Sequence, residues 1–541
     1  MGSRMLGMTV AAVLALGPTG CGGGGAPAPS LPPNTSGWWR DKVVYEVFVR
    51  SFADSDGDGT GDLKGLTAHL DDLNDGNPAT TADLGVDALW LMPVFDSPSY
   101  HGYDVRDYRT IDAPYGTLAD FDALVAAAHA RGIKVILDMV LNHSSSQHAW
   151  FVNSQSGADA ARRSWYVWSA TDPGWPSPLL GAPPWRPAAT GWFYAVFSPS
   201  MPDLNLGEPA VEAELTDVMR SWLARGVDGF RLDAVRYLFA NGPDQQIDQP
   251  ETHAFLRRVR ANLQAQYPRA LLVAEAWANT ETVATYYGAG DEVQLAFSFD
   301  QADAIRAAIG GGTSSSLVNA LARTEAALAG KDRGFEAPFL SNHDQVREAR
   351  ALGGEPAALK LAAATLLALP GTPFLYYGEE LGMQGGSGAD DRNKRTPYRW
   401  DATTPGHGFT TGTPWFTAAP DEAPGVDLAS ARADPGSLWH VYRDLIALRH
   451  GRPALSTGDA TRPVVTGGGA GAFALLRSTG GARVLFVANF GTAASGPFTV
   501  SAAGTPAALA SSGLSGAPTA AGGQVAVPGL DARGWAFLSL E

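Results

Sequence analysis

Trp222-Leu-Ala-Arg-Gly-Val-Asp-Gly-Phe-Arg-Leu-Asp233 reads as the end of a helix, a glycine turn and a buried strand that finishes on a carboxylate. The same pattern recurs on either side of it. Upstream, residues 43–49 and 88–93 are short apolar runs with the look of buried strands. The helical spacing of residues 121–131 closes at Gly132, just before a third strand at 133–140. Downstream, residues 270–275, 294–299, 337–340 and 372–377 bring the strand candidates to eight. Repeated βα units spread over about 400 residues predict an α/β fold built on a parallel (β/α)8 barrel with insertions.

Two stretches break the alternation. Between His143 and Leu206 a segment rich in Trp, Pro and Ser stands where the helix after the third strand is due. A structureless loop of that length is unfavourable, so a small lobe in place of the helix is expected. After about Pro453 the composition shifts to Gly, Ala, Ser, Thr and Val, and alternating runs such as residues 483–490 predict an all-β terminal domain. The expected division is a signal segment and linker (1–36), the first part of the barrel (37–142), the inserted lobe (143–207), the rest of the barrel (208–453) and a C-terminal β-sandwich (454–541).

Composition excludes some partners. The 541 residues carry 39 Lys and Arg against 55 Asp and Glu, a net charge of −16 that repels nucleic acid and anionic membranes. A neutral substrate suits that balance, and so does a bound cation. Residues 1–20 read as an export signal, with Arg4 ahead of an apolar stretch too short to span a bilayer. Cys21 is the only cysteine, so no intramolecular disulfide is available. Placed before a Gly- and Pro-rich tether, it resembles a lipoprotein cleavage site and lipid anchor, although Pro18 stands where Leu is usual. An ordinary cleaved signal with an incidental cysteine is the alternative. Either reading makes the protein exported, and a monomer is expected.

In a β/α barrel the polar residues at the carboxyl ends of the strands face the active site. Here they are Asp138, Asn142 and His143, then Arg231 and Asp233, then Glu275, then His343 and Asp344. Carboxylates from separate strands therefore converge on one mouth. Arg231 and Asp233, two residues apart on a strand, point the same way. A second acidic group lies in Asp54-Ser-Asp-Gly-Asp-Gly-Thr-Gly-Asp62, where Asp54, Asp56, Asp58 and Asp62, with Thr60 as a further oxygen donor, suit a hard cation such as Ca²⁺. It resembles the start of an EF-hand loop, but position twelve of that register is Gly65.

Six segments together resemble the α-amylase family (glycoside hydrolase family 13): Asp138–His143, Met201-Pro-Asp-Leu-Asn205, Gly229–Tyr237, Glu275-Ala-Trp277, Phe339–Asp344 and Gly371–Glu380. The resemblance implies a retaining glycosidase in which Asp233 is the nucleophile, Glu275 the general acid/base and Asp344 the third acid, gripping sugar hydroxyls. It implies that His143 and His343 bond the sugar, that Tyr103 stacks on the attacked ring with His101 beside it, and that Arg395 lies near the acids. It also implies a calcium loop after the first strand and a second calcium near Asn142.

Met201–Asn205 looks like the group intermediate between oligo-1,6-glucosidases and neopullulanases. Exo-acting oligo-1,6-glucosidases place an Asp three residues before the stacking Tyr. Tyr100 stands there, which favours endo cleavage of α-1,4 bonds in starch and maltooligosaccharides. Neopullulanase or cyclomaltodextrinase activity comes next, although those enzymes usually carry an N-terminal domain for which residues 22–37 leave no room. α-Glucosidase and transglycosylase activities share the same intermediate. A non-catalytic sugar-binding relative would be marked by loss of a carboxylate, and none is lost.

Overall fold

The computed structural model describes residues 37–179, 181–331, 336–403, 406–417 and 422–541. The signal segment, the linker and Cys21 lie outside the described residues.

Eight parallel strands form one sheet, and each pairs with the next in chain order. They are Val44–Val47, Ala88–Leu91, Lys134–Met139, Gly229–Leu232, Leu271–Ala274, Leu295–Phe297, Glu336–Ala337 and Phe374–Tyr376. The last pairs with the first through Val44 and Phe374, and a bridge from Phe339 to Phe374 closes the ring. The seventh strand is shorter than its apolar run suggested because Pro338 has no N–H to continue the ladder. Its carbonyl still accepts from Phe374 N at 2.9 Å. One layer of the barrel interior is filled by Val44, Trp90, Ile136, Val273, Phe297 and Phe374.

Antiparallel elements are inserted between the third and fourth barrel strands, but the helix expected to give way to them is retained. A short helix at Ala149–Ser154 is followed by a three-stranded antiparallel sheet of Trp168–Ser169, Gly191–Tyr194 and Trp185–Ala188. The barrel helix then appears late, at Pro209–Ala224, with Pro209 in its first turn and Glu208 capping Ala210 N. Its buried Val211, Leu215, Val218, Met219 and Trp222 fall at helical spacing.

The C-terminal region holds a five-stranded and a four-stranded antiparallel sheet. In the strand Ala482–Asn489, Leu485 and Val487 enter the core between the two sheets. Val484, Phe486 and Ala488 face the other way and join the barrel's own core. Period-two alternation thus gives one strand two apolar faces.

Two fully buried arginines, Arg449 on the helix Leu438–His450 and Arg477 on the sheet, bind the end of the barrel helix Pro356–Ala368. Arg449 donates to the carbonyls of Leu367 (2.9 Å), Leu369 (3.0 Å) and Gly371 (2.5 Å). Arg477, from the sheet, donates to Ala368 O, Leu369 O and Gly458 O, each at 2.8 Å. Both cations sit on the negative end of the helix, where its last carbonyls lack partners within the helix. Arg477→Met keeps the bulk and leaves buried acceptors unsatisfied, so unfolding free energy should fall by about 2–4 kcal/mol. Urea unfolding measures this; a midpoint matching the parent would remove Arg477 from the clamp.

Candidate active site

The fully buried guanidinium of Arg231 organises the floor of the site. Its Nη1 donates to Asp233 Oδ1 at 2.7 Å and to Asp138 Oδ1 at 2.8 Å. Its Nη2 lies 2.8 Å from Glu275 Oε2, a charge contact rather than an aligned hydrogen bond. Glu275 Oε2 accepts instead from Ala234 N at 2.8 Å. That amide is aimed by a left-handed Ala234 (φ 50°), a costly conformation for a residue with a Cβ. Asp138 is held further by Tyr103 OH (3.0 Å) and Trp90 Nε1 (3.3 Å).

Tyr103 reaches this floor from the loop after the second strand. Gly102 (φ 81°) makes the turn, and a Cβ there would stand 2.8 Å from the Pro93 side chain and 2.9 Å from its carbonyl. On the other side of Tyr103, its hydroxyl meets His343 Nε2 at 2.5 Å. His343 Nδ1 meets Glu46 Oε1 at 2.6 Å, and Nε2 is 3.3 Å from Asp344 Oδ2. Arg395 donates to Asp344 Oδ1 (2.8 Å) and to His343 O (3.0 Å).

These contacts divide the carboxyls electrostatically. Burial pushes Glu275 up to about 7 against the pull of Arg231, and the charges of Asp233 and Asp344 raise it further. Burial likewise raises Asp138 to about 6. At Asp344 burial acts in the same direction, but His343 and Arg395 outweigh it and hold the carboxyl below its usual range. Burial opposes the charge on His343, yet Asp344 and Glu46 carry it up to about 9. Glu275 and Asp138 are thus the carboxyls of this floor raised toward neutrality, and of the two only Glu275 lines the cavity.

Above the floor opens a cavity of about 450 Å³. Asp233, Glu275, Asp344, His101, Tyr103, His143 and Arg395 all line it. Arg231 and His343 are fully buried beneath, with their polar groups turned toward the lining carboxylates. The sequence reading placed Asp138 among the strand-end residues facing the site without a chemical role, and did not single out Glu46 or Tyr237; a carboxylate inside the apolar run 43–49 was the available signal for Glu46. It also passed over the half-exposed Trp277, stacked on Phe299 (5.0 Å between centroids, 8° between planes), and Phe197 from the lobe.

Asp54, Asp56 and Asp58 form an acidic cluster with carboxylate oxygens within 4.8 Å of one another. Oxygens bound to one Ca²⁺ at 2.3–2.6 Å span about the same distance, so the three fit a hard cation. Asp62 is turned elsewhere: it accepts from Ser55 N (2.8 Å) and Gly65 N (2.7 Å) and caps the following helix. Thr60 donates its amide to Asp58 Oδ1 at 2.7 Å. Asn142, at the lobe junction, donates to Asp203 Oδ2 at 3.0 Å, while its buried Oδ1 has no protein partner among the described residues.

A β/α barrel with converging acids beneath a sugar-sized cavity defines the class as a barrel glycoside hydrolase. Comparison with known proteins makes this specific. Residues 46–458 match the family model described as the α-amylase catalytic domain. The chain is 38% identical over 427 residues to α-amylase 3 of Dictyoglomus thermophilum, covering 79% of this chain and 80% of that one. It is 33% identical over 495 residues to an oligo-1,6-glucosidase of Heyndrickxia coagulans, covering 78% and 86%. Among solved structures, the α-amylase from H. orenii superposes with a TM-score of 0.81 at 34% identity, covering 92% of this chain and 99% of that one. The chain belongs to the α-amylase family of glycoside hydrolases, enzymes that act on α-glucans.

The electrostatics give a direct check. Asp233 raises Glu275, so Asp233→Asn should lower the Glu275 titration midpoint from near 7. Carbon-13 NMR of the Glu275 carboxyl reads this, and an unchanged midpoint would mean that the two groups are not coupled.

Proposed function

We propose that the protein is a retaining, endo-acting α-amylase that hydrolyses internal α-1,4 bonds of starch and maltooligosaccharides. The observation that carries the reading is the shared guanidinium: Arg231 holds Asp233 and Glu275 on its two terminal nitrogens while burial sets Glu275 near 7. In this scheme Glu275 protonates the glycosidic oxygen as the Asp233 carboxylate attacks the anomeric carbon. The leaving chain departs, and Glu275, now a base, takes a proton from the water that releases the sugar. Asp344, held as an anion, stabilises the positive ring and binds its hydroxyls. Tyr103 offers a stacking face, His101 and His143 bond hydroxyls from the rim, and Arg395 fixes Asp344. His343 acts from behind, through Asp344 and Tyr103.

Tyr100 supports endo action. Its ring stacks on Trp415 at 5.5 Å with Arg395 5.8 Å from its centroid, where an exo-acting relative would present a carboxylate to a terminal glucose. An oligo-1,6-glucosidase-like activity is the second reading, favoured by the similarity to the Heyndrickxia coagulans enzyme. We also propose export by residues 1–20, with Cys21 as a lipid anchor, and action as a monomer. Calcium would be held by Asp54, Asp56 and Asp58, and a second ion by Asn142 with Asp203. Such ions neutralise clustered carboxylates and tie loops to the barrel, with no part in bond cleavage.

Asp233→Asn should reduce starch turnover far below a tenth of the parent while leaving oligosaccharide binding intact; about a tenth retained would overturn the nucleophile. Proton NMR should find α-anomers as the first products, because two inversions restore the configuration; β-anomers would exclude retention. A size profile of products from starch should show a spread of oligosaccharides, whereas glucose alone would favour the exo reading. Chelation should lower the unfolding temperature without changing the initial rate, and Asp56→Ala with Asp58→Ala should abolish most stabilisation by added Ca²⁺. Undiminished stabilisation in that double variant would place the ion elsewhere.

A further inference from the structure

We infer that Glu46, on the first barrel strand, is a positioning residue that holds His343 as a doubly protonated imidazolium, so that this ring donates from both nitrogens. The inference rests on the glycosidase reading above and adds a device beneath it.

Donor and acceptor accounting carries it. Glu46 is buried, and its Oε1 faces His343 Nδ1 at 2.6 Å. With the carboxylate as the acceptor of this contact, the proton sits on Nδ1. On the opposite side, Tyr103 OH gives its proton to Asp138 Oδ2 at 3.0 Å, which leaves the phenol oxygen as an acceptor toward His343 Nε2. Asp344 Oδ2, another acceptor, lies 3.3 Å from the same nitrogen. Nε2 therefore also carries a proton. A neutral ring would turn a lone pair either on Glu46 or on Tyr103 and Asp344 together.

The surroundings agree. Around His343 stand Glu46 from the first strand, the edge-on Trp90 from the second, Tyr103 from the following loop with Asp138 behind it, and Asp344 from its own loop. Arg231 lies 3.4 Å from Tyr103 OH, and Arg395 Nε is bonded to the His343 carbonyl. The ring is fully buried, so its charge depends on the carboxylates at its two ends. Burial opposes that charge, and Asp344 and Glu46 together raise the ring to about 9. The consequence for catalysis is geometric: a fixed cation aligns the Asp344 carboxylate and the Tyr103 hydroxyl at the floor of the cavity.

Glu46→Gln is nearly isosteric and removes one of the two charges. With a carboxamide oxygen on Nδ1–H, the ring becomes the neutral Nδ1–H tautomer as pH rises. An opposite charge at this distance shifts a group by about 1–3 units, so the His343 midpoint should fall by that amount. The full-length enzyme with ¹⁵N-labelled histidine, and a His343→Gln variant to assign the signals, reads both nitrogens. In the parent, both should remain in the imidazolium range through neutral pH. In Glu46→Gln, the midpoint should drop, and the alkaline limb of kcat/KM on soluble starch should steepen by a second deprotonation. A neutral His343 in the parent at pH 7, or superimposable titrations in parent and variant, would overturn the inference. If the variant does not fold, the parent spectrum decides alone. Failure of the amylase reading would appear separately, as absence of starch turnover in a parent whose His343 is charged.

Discussion

Sinking a guanidinium to full burial costs several kcal/mol in lost hydration, and only tightly placed anions offset it. Arg231 is such a group, with Asp138, Asp233 and Glu275 all within 2.8 Å. Each comes from a neighbouring strand of the barrel: the third, the fourth and the fifth. Parallel pairing sets those strands side by side, with Asp138 opposite Arg231 and Val273 on its other flank. The register of the sheet therefore decides which acids can share one cation. Burial raises Asp138 and Glu275 against that cation's pull, so these two keep a proton more readily than usual. The fold thus creates a difference in acidity from chemically similar side chains.

The opposite half of the floor uses the reverse arrangement. There a cation pair, His343 and Arg395, surrounds one carboxyl, and Asp344 is held as an anion. Tyr103 bridges the halves, touching Asp138 on one side and His343 on the other. A single hydroxyl therefore links strands at opposite positions in the ring.

Most of this was legible from the chain. Buried parallel strands are continuous apolar runs, so the barrel could be counted out by eye, and the acids stood at the strand ends where such a barrel needs them. The seventh strand was overread because an apolar run does not disclose that Pro338 ends the ladder. The helix after the third strand seemed displaced altogether, since the lobe's aromatic residues interrupt the expected spacing before Pro209. Glu46 carried no readable role, because its partner lies 297 residues away and a lone carboxylate in a strand does not name the residue it faces. Asp62 looked interchangeable with its acidic neighbours until the helix it caps came into view. Local pattern reveals elements and strand ends; it does not reveal which distant groups share a hydrogen bond.

The strand Ala482–Asn489 has apolar side chains on both faces, one set in the sandwich and one in the barrel. An appended sheet ordinarily keeps a wet face, which lets evolution attach or exchange it like a cassette. This one has none along most of its central strand. Detaching it would strip the covering from the barrel helices and open its own interior at once. The terminal module and the barrel therefore share one packed interior, and a change of side-chain volume on either face of this strand is felt in both.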